Sequence, residues 1–399
     1  MMLLVLLLVL LVMGVPVGWA LGGASLLFML WEGIPLGALV TQPNSTLSNS
    51  ILVAVPLYIL AGELMNNGGV TVRIIAFCRA MVGHVHGALA QVNILASVIF
   101  SGMSGSAYAD AAGMGTVLIK AMKDEGYEPE YAGAVTAASS TIGPIIPPSI
   151  AMIIFGSLTG TSIGALFLGG IVPGLLMGGG LMLLAWWIGR RRGHPRSQVA
   201  TWRERGAATL SAVPSLLMPI IIIGGILSGV FTPTEAGAVA VAYALVLTII
   251  YQRHAGLAQL GRLLQFAALR SAGVMLVISF SALFGWLAIR ERIPFMIADM
   301  MTSISDDPLV FLPMVNLLLL VLGMFLETIA VLLLVVPIFF PLLSTFGISP
   351  VHFGVMITIN LMIGLITPPL GICLYIVGDI AGVSLMRLVR AVLPFFIPL

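Results

Sequence analysis

Apolar residues run in blocks long enough to cross a bilayer, and the polar positions between them are few and clustered. Leu3 to Val12 is wholly aliphatic, and Met314 to Leu322 is broken only by Asn316. A spanning helix needs roughly 20 apolar residues. The blocks predict helices over 1–13, 16–31, 51–66, 163–188, 210–229, 236–252 and 271–289. Two stretches interrupt the pattern in the first half. SGMSGSAYADAAGMG (Ser101–Gly115) sets glycines, serines and an aspartate between apolar runs, and GPIIPPS (Gly143–Ser149) puts adjacent prolines inside a crossing over 130–157. Those prolines remove two backbone donors and fix φ, so the crossing breaks there. Non-helical backbone is tolerated at membrane depth only where protein or a wet cavity satisfies it. Residues 87–122 therefore read as a re-entrant hairpin: a helix to about Phe100, a turn over 101–106 and a return to Lys120. Two complete helices packed through small residues are the alternative.

The second half repeats this arrangement. GLITPPLG (Gly364–Gly371) resembles GPIIPPSI (Gly143–Ile150) at an offset of 364 − 143 = 221 residues. The same ungapped offset pairs Pro147 with Pro368, Pro148 with Pro369, Gly133 with Gly354, Gly102 with Gly323 and Ala109 with Ala330. It predicts a second hairpin over 308–345, with its tip at LGMFLETIA (Leu322–Ala330), and a second broken helix over 352–377.

Charge then sets direction. The chain is 60% hydrophobic and 8% charged, against about 25% charged residues in soluble domains. That excludes a soluble fold and indicates an all-α polytopic membrane protein. Lys and Arg gather at Arg73 and Arg79, Lys120 and Lys123, Arg190 to Arg205, Arg253 and Arg262, and Arg387 and Arg390. The positive-inside rule puts these groups in the cytoplasm. Counting crossings then sends the first hairpin in from the cytoplasm and the second, flanked by Asp306 and Asp307, in from outside. The repeats are inverted, with the amino terminus outside, as in many secondary transporters. Two tips facing two broken helices near the midplane make a binding site, where helix N-termini suit an anion and unwound carbonyls suit a small cation.

Other chemistry is sparse. Cys78 and Cys373 have no metal-like spacing, and neither a disulfide framework nor a metal site is expected. The leading MMLLVLLLVLLVMGVPVG lacks a basic segment and a clear cleavage site, so it reads as the first helix. A net charge of +2 gives no sign of a nucleic-acid partner. No nucleophile elbow, Ser–His–Asp set or P-loop occurs, which argues against an enzyme and against direct use of ATP.

SGMSGSAYADAAGMG, the following AGAVTAASSTIGPIIPPS and GLITPPLG resemble the large membrane subunit of tripartite ATP-independent periplasmic (TRAP) transporters, over nearly the whole chain. The resemblance implies an elevator-type importer in a bacterial or archaeal cytoplasmic (inner) membrane. It would be driven by Na+ and carry a small carboxylate, a dicarboxylate or a sialic acid. It implies two partners, a periplasmic substrate-binding protein and a small four-helix membrane subunit. A stand-alone sodium–dicarboxylate symporter and a passive channel are the competing readings. The resemblance implies a first sodium site at Ser101, Ser104 and Gly105 with Gly143, Ile146 and Pro147. It implies a second at Gly323 and Thr328 with Gly364 and Thr367. Ser106, Asp110, Ser149 and Glu327, with Pro148 and Pro369, are the candidates for the substrate cavity.

This reading divides the chain into a scaffold (1–66 and 163–290), interfacial arms (67–86 and 291–307) and a moving unit (87–160 and 308–384). Residues 385–399 are short for a span and read as the start of a final helix, with truncation of the carboxy terminus left open. Asp110 is open to two roles, a cation-attracting carboxylate or a cap for nearby N–H groups. Glu63 and Glu235 are expected to pair with a base of the small subunit or to cap a helix end. The six-arginine loop over 190–205 is expected to fix topology beside anionic lipid.

Overall fold

A computed structural model describes residues 2–251, 257–303 and 307–399. Arg253 and Asp306, which entered the charge reading, lie outside the described residues. Every regular element among those residues is helical. Five helices are long and apolar enough to cross a membrane: Ile163–Arg192, Trp202–Leu227, Pro233–Tyr251, Gln259–Arg290 and Pro308–Phe325.

Both interrupted segments fold as helix, tip, helix and broken helix. In the first, Ala88–Ser104 ends at Gly105, and Ala107–Asp124 returns after a two-residue tip. Gly105 has φ +57, a left-handed conformation that side chains resist. Ser106 caps the return helix, its hydroxyl accepting from the Ala109 amide at 3.4 Å. Pro129–Ser140 then unwinds across 141–149 and resumes as Ile150–Thr159, with the Ser149 hydroxyl accepting from the Met152 amide at 3.2 Å. In the second, Pro308–Phe325 and Thr328–Phe339 flank a tip at Leu326 and Glu327. Pro350–Gly364 breaks before Ile372–Ala381. The offset holds at the element level: 325 − 104, 328 − 107 and 350 − 129 each give 221. The Pro147–Pro148 and Pro368–Pro369 peptide bonds are both cis.

Two helices exceed the sequence expectation. The apolar block at 210–229 begins instead at Trp202, nucleated by a capping box. The Thr201 hydroxyl accepts from the Glu204 amide at 3.3 Å, while the Glu204 carboxylate accepts from the Thr201 amide at 2.8 Å. The block at 271–289 belongs to a 34-residue helix, Leu257–Arg290. No proline interrupts residues 257–270, so the helix continues past the apolar window.

Packing separates two hydrophobic cores. A small one joins Met2–Val12 and Val17–Glu32 to the last turns of Leu257–Arg290 through Leu21, Phe28, Phe284 and Leu287. The main core fills the hairpins, the broken helices and their neighbours. Helix Ile163–Arg192 meets that main core along a glycine face. A methyl on Gly170 would sit 2.3 Å from the Ile145 carbonyl oxygen. One on Gly174 would meet the Ile146 side chain at 2.5 Å, and one on Gly189 the Gly87 amide nitrogen at 2.6 Å. Small residues let membrane helices approach this closely. This helix falls within 163–290, which the sequence reading grouped with the scaffold, and its glycine face packs on the first hairpin and its broken helix.

The residues after this helix fold back onto the same body. The Ser197 amide donates to the Gly83 carbonyl at 3.0 Å, and the Tyr127 hydroxyl donates to the Pro195 carbonyl at 3.5 Å. His194 lies between the Tyr127 and Tyr131 rings, with centroids 4.4 and 4.9 Å away. Arg192 pairs with Glu128, and Arg79 with Glu125 at 2.7 Å.

Candidate functional site

Each hairpin tip abuts its own broken helix, backbone against backbone. A methyl on Gly105 would lie 2.5 Å from the Pro148 carbonyl oxygen. One on Gly143 would lie 3.5 Å from the Ser106 carbonyl. In the second repeat, a methyl on Gly364 would lie 2.9 Å from the Gly323 Cα, and the Leu370 amide donates to the Met324 carbonyl at 3.2 Å. Glycine is required at these positions because backbone occupies the place of a Cβ.

The two tips also approach each other. Tyr108, two residues beyond the first tip, faces Thr328 at the second. Both hydroxyls are buried, and neither closes a hydrogen bond of ordinary length. Around them opens a cavity of about 450 Å³. One wall comes from the tips: Ser104 to Ala109, and Glu327 to Ile329. The other comes from helices Ala54–Asn67 and Leu257–Arg290, through Ile59, Gly62, Glu63, Arg270 and Gly273. A methyl on Gly62 would sit 3.2 Å from the Ser104 Cα, so these walls converge closely at the first tip.

The sequence-derived residues distribute unevenly over this site. Ser104, Gly105, Ser106, Glu327 and Thr328 line the cavity. Ser101 is buried behind the first tip, its hydroxyl donating to the Val98 carbonyl at 2.6 Å. Ile146 packs against Gly174, and the Pro147 carbonyl lies 3.7 Å from a methyl built on Gly102. Gly323, Gly364 and Thr367 sit behind the second tip, where the Thr367 hydroxyl donates to the Ile363 carbonyl at 2.7 Å. Ser149 is buried as a helix cap, and Pro369 is exposed.

Asp110 lies off the cavity, fully buried in a polar seam within the first repeat. Ser97 faces it, and the Ser97 hydroxyl also contacts the Ser139 hydroxyl at 3.0 Å. Asn93 donates to the Thr136 hydroxyl at 2.7 Å in the same seam. Neither Asp110 oxygen closes a hydrogen bond of ordinary length.

Arg270 is the cavity residue that the sequence reading missed. Its guanidinium stands 3.6 Å from the Glu63 carboxylate and 4.5 Å from the Phe266 ring centroid. Glu63 therefore has a partner inside its own chain. The missing signal was helix length: the expected helix began at 271 and left out Arg270, which stands 13 residues into the helix (270 − 257). Glu235 is a helix cap, accepting from the Thr232 amide at 2.8 Å.

Among the described residues, no three His, Cys, Asp or Glu side chains gather as metal ligands. The site offers instead carbonyls and hydroxyls at two tips, two carboxylates and one guanidinium. Such a donor set suits small charged ligands.

Comparisons with known proteins agree with this architecture. Residues 4–399 match the family model of the tripartite ATP-independent periplasmic transporter, DctM component. The sialic acid TRAP transporter large permease protein SiaM of Vibrio cholerae is 46% identical over 387 residues, covering 97% of this chain and 91% of that protein. The sialic acid TRAP transporter permease protein SiaT of Haemophilus influenzae is 42% identical over 392 residues, 98% of this chain and 64% of that longer protein. The crystal structure of the Alcanivorax borkumensis YdaH transporter shares the fold, with a TM-score of 0.70 at 15% identity over 90% of this chain and 85% of that one. Helices able to cross a membrane, in a family that works at the periplasm, place the chain in the inner membrane as one part of a three-part system. The chain belongs to the tripartite ATP-independent periplasmic transporter family, as its DctM component, the large permease.

Proposed function

We propose that this subunit imports a small carboxylate, a sialic acid or a dicarboxylate, by a sodium-coupled elevator mechanism. A periplasmic binding protein delivers the substrate, and a small four-helix membrane subunit completes the complex. The observation that carries this reading is the cavity between the hairpin tips and helices Ala54–Asn67 and Leu257–Arg290. Its two walls come from separate helices, so a slide of the tips past Ala54–Asn67 and Leu257–Arg290 would change its exposure. The moving body would comprise 87–160, 308–384 and helix Ile163–Arg192, whose glycine face holds it to the first repeat. The remaining helices would form the scaffold, with 67–86 and 291–307 as arms. The inverted arrangement of the repeats, read from the charge pattern, is part of the same proposal.

Na+ would bind at the two tip-to-break junctions, through carbonyls and hydroxyls around Ser104 and Gly143 and around Gly323 and Gly364. Coupling then requires that Na+ favour the tip conformation able to hold substrate, since a ligand shifts an equilibrium only by its differential affinity for the two states. Sialic acid is the first substrate to test, because SiaM and SiaT are named for it.

Uptake of labelled N-acetylneuraminate and succinate into proteoliposomes containing both membrane subunits tests the reading. The expected result is uptake that requires both a sodium gradient and the binding protein. Sodium-driven uptake without the binding protein would favour a stand-alone symporter. Uptake independent of the gradient would overturn coupling.

A further inference from the structure

The cavity presents two carboxylates, Glu63 and Glu327, and among its described lining residues one cation, Arg270. That is an unfavourable lining for an anion unless the cation is aimed at it. Charges within membrane helices are costly and mark function when they face a wet cavity. Arg270 faces one, with its side chain 45% exposed. Its separation of 3.6 Å from Glu63 exceeds a direct hydrogen bond. A guanidinium has five donors in a fork that matches a carboxylate. Gly273, one turn further along the same helix, has nothing within 4 Å of where its side chain would be, which leaves space beside the guanidinium.

We propose that Arg270 binds the carboxylate of the substrate, with Glu63 holding the guanidinium at the cavity wall while the site is empty. This rests on the carboxylate-import reading above and adds a role for the scaffold. Arg270 belongs to the wall that stays behind when the hairpins move. Displacement of the tips would therefore draw the substrate off its counter-ion and weaken binding in the other state.

The test uses the purified complex of both membrane subunits at saturating sodium. Thermal stabilisation by free N-acetylneuraminate, by its neutral methyl ester and by succinate is titrated for wild type, Arg270→Gln and Arg270→Lys. The lysine variant keeps a charge beside Glu63 and so guards against misfolding, while losing the fork. The expected result is that Arg270→Gln raises the half-stabilising acid concentration at least about tenfold, the scale of one lost charge-assisted hydrogen bond. Arg270→Lys should fall between, the ester should respond equally in all three proteins, and the sodium dependence should stay fixed. Equal titrations in wild type and both variants would overturn the assignment. So would a wild type that drives uptake yet is stabilised by neither acid. A wild type without sodium-driven uptake would instead overturn the reading of the site, and this assignment with it.

Discussion

Gly364 and Gly323 touch backbone to backbone, with the Cα of one within 2.9 Å of where a methyl on the other would lie. The second tip and the second broken helix are thus joined without a side chain between them. In the first repeat the tip and the break also meet backbone to backbone, but at different positions, Gly105 against Pro148.

Gly364→Ala has no flexible neighbour to displace, so the tip or the break must shift. Overpacking of this kind costs about 1–3 kcal/mol. The expected outcome is lower thermal stability of the purified protein together with a weaker response to sodium. Gly179→Ala, which meets nothing within 4 Å, serves as the control and should leave both unchanged.

Glu327 occupies the N-cap position of Thr328–Phe339 and makes no side-chain capping bond. Its carboxylate is available to the cavity rather than committed to the helix. Glu327→Gln is expected to reduce uptake by about tenfold or more at normal membrane levels. Wild-type uptake by the variant would remove Glu327 from the site.

Asp110 poses the opposite case, a buried acid away from the cavity. Asp110→Asn keeps its size and removes its ionisable carboxyl. The expected outcome is an intact fold and a higher sodium concentration for half-maximal uptake, because a carboxylate buried in a hydroxyl-lined seam favours a nearby cation. An unshifted sodium curve would reduce Asp110 to a packing role.

His194 supplies a pH dependence outside the membrane. Burial between two tyrosines, and then the Arg192 charge, hold its pKa below the ordinary 6.5. A base with a lowered folded-state pKa binds fewer protons when docked than when free. Its contribution is therefore full above pH 6.5 and is lost as pH falls through the window below that value. Tryptic cleavage at Arg196, taken relative to an unstructured Arg–Ser peptide at the same pH because trypsin itself slows in acid, should be slow at pH 7.5 and faster at pH 5.5. His194→Phe should flatten that difference.

The hairpins and breaks were legible because glycine, serine and paired proline contrast so sharply with apolar runs, and because the offset repeats them. Helix starts at Ala107 and Thr328, and at Pro129 and Pro350, follow that offset directly. Pairings between distant segments were not legible. Nothing local to Tyr108 indicates Thr328, and nothing local to Glu63 indicates Arg270. Asp110 and Glu327 read alike as acids near tips, yet one caps the cavity wall and the other lies in a seam behind it. The difference is one helical turn: Glu327 stands at the tip itself, whereas Asp110 follows its tip residue Ser106 by four positions.

Helix Ile163–Arg192 is gripped from Gly170 to Gly189, a length of about 28 Å at 1.5 Å per residue. Held at both ends over almost a bilayer's thickness, it has little freedom to tilt. On the elevator proposal it would act as a pushrod, carrying a displacement of its body from one membrane face to the other. The proposed motion would reach the connecting segment over 193–201, which is tied down at Gly83 and Tyr127. If the proposed motion occurs, that segment is where it would become visible to anything on its own side of the membrane.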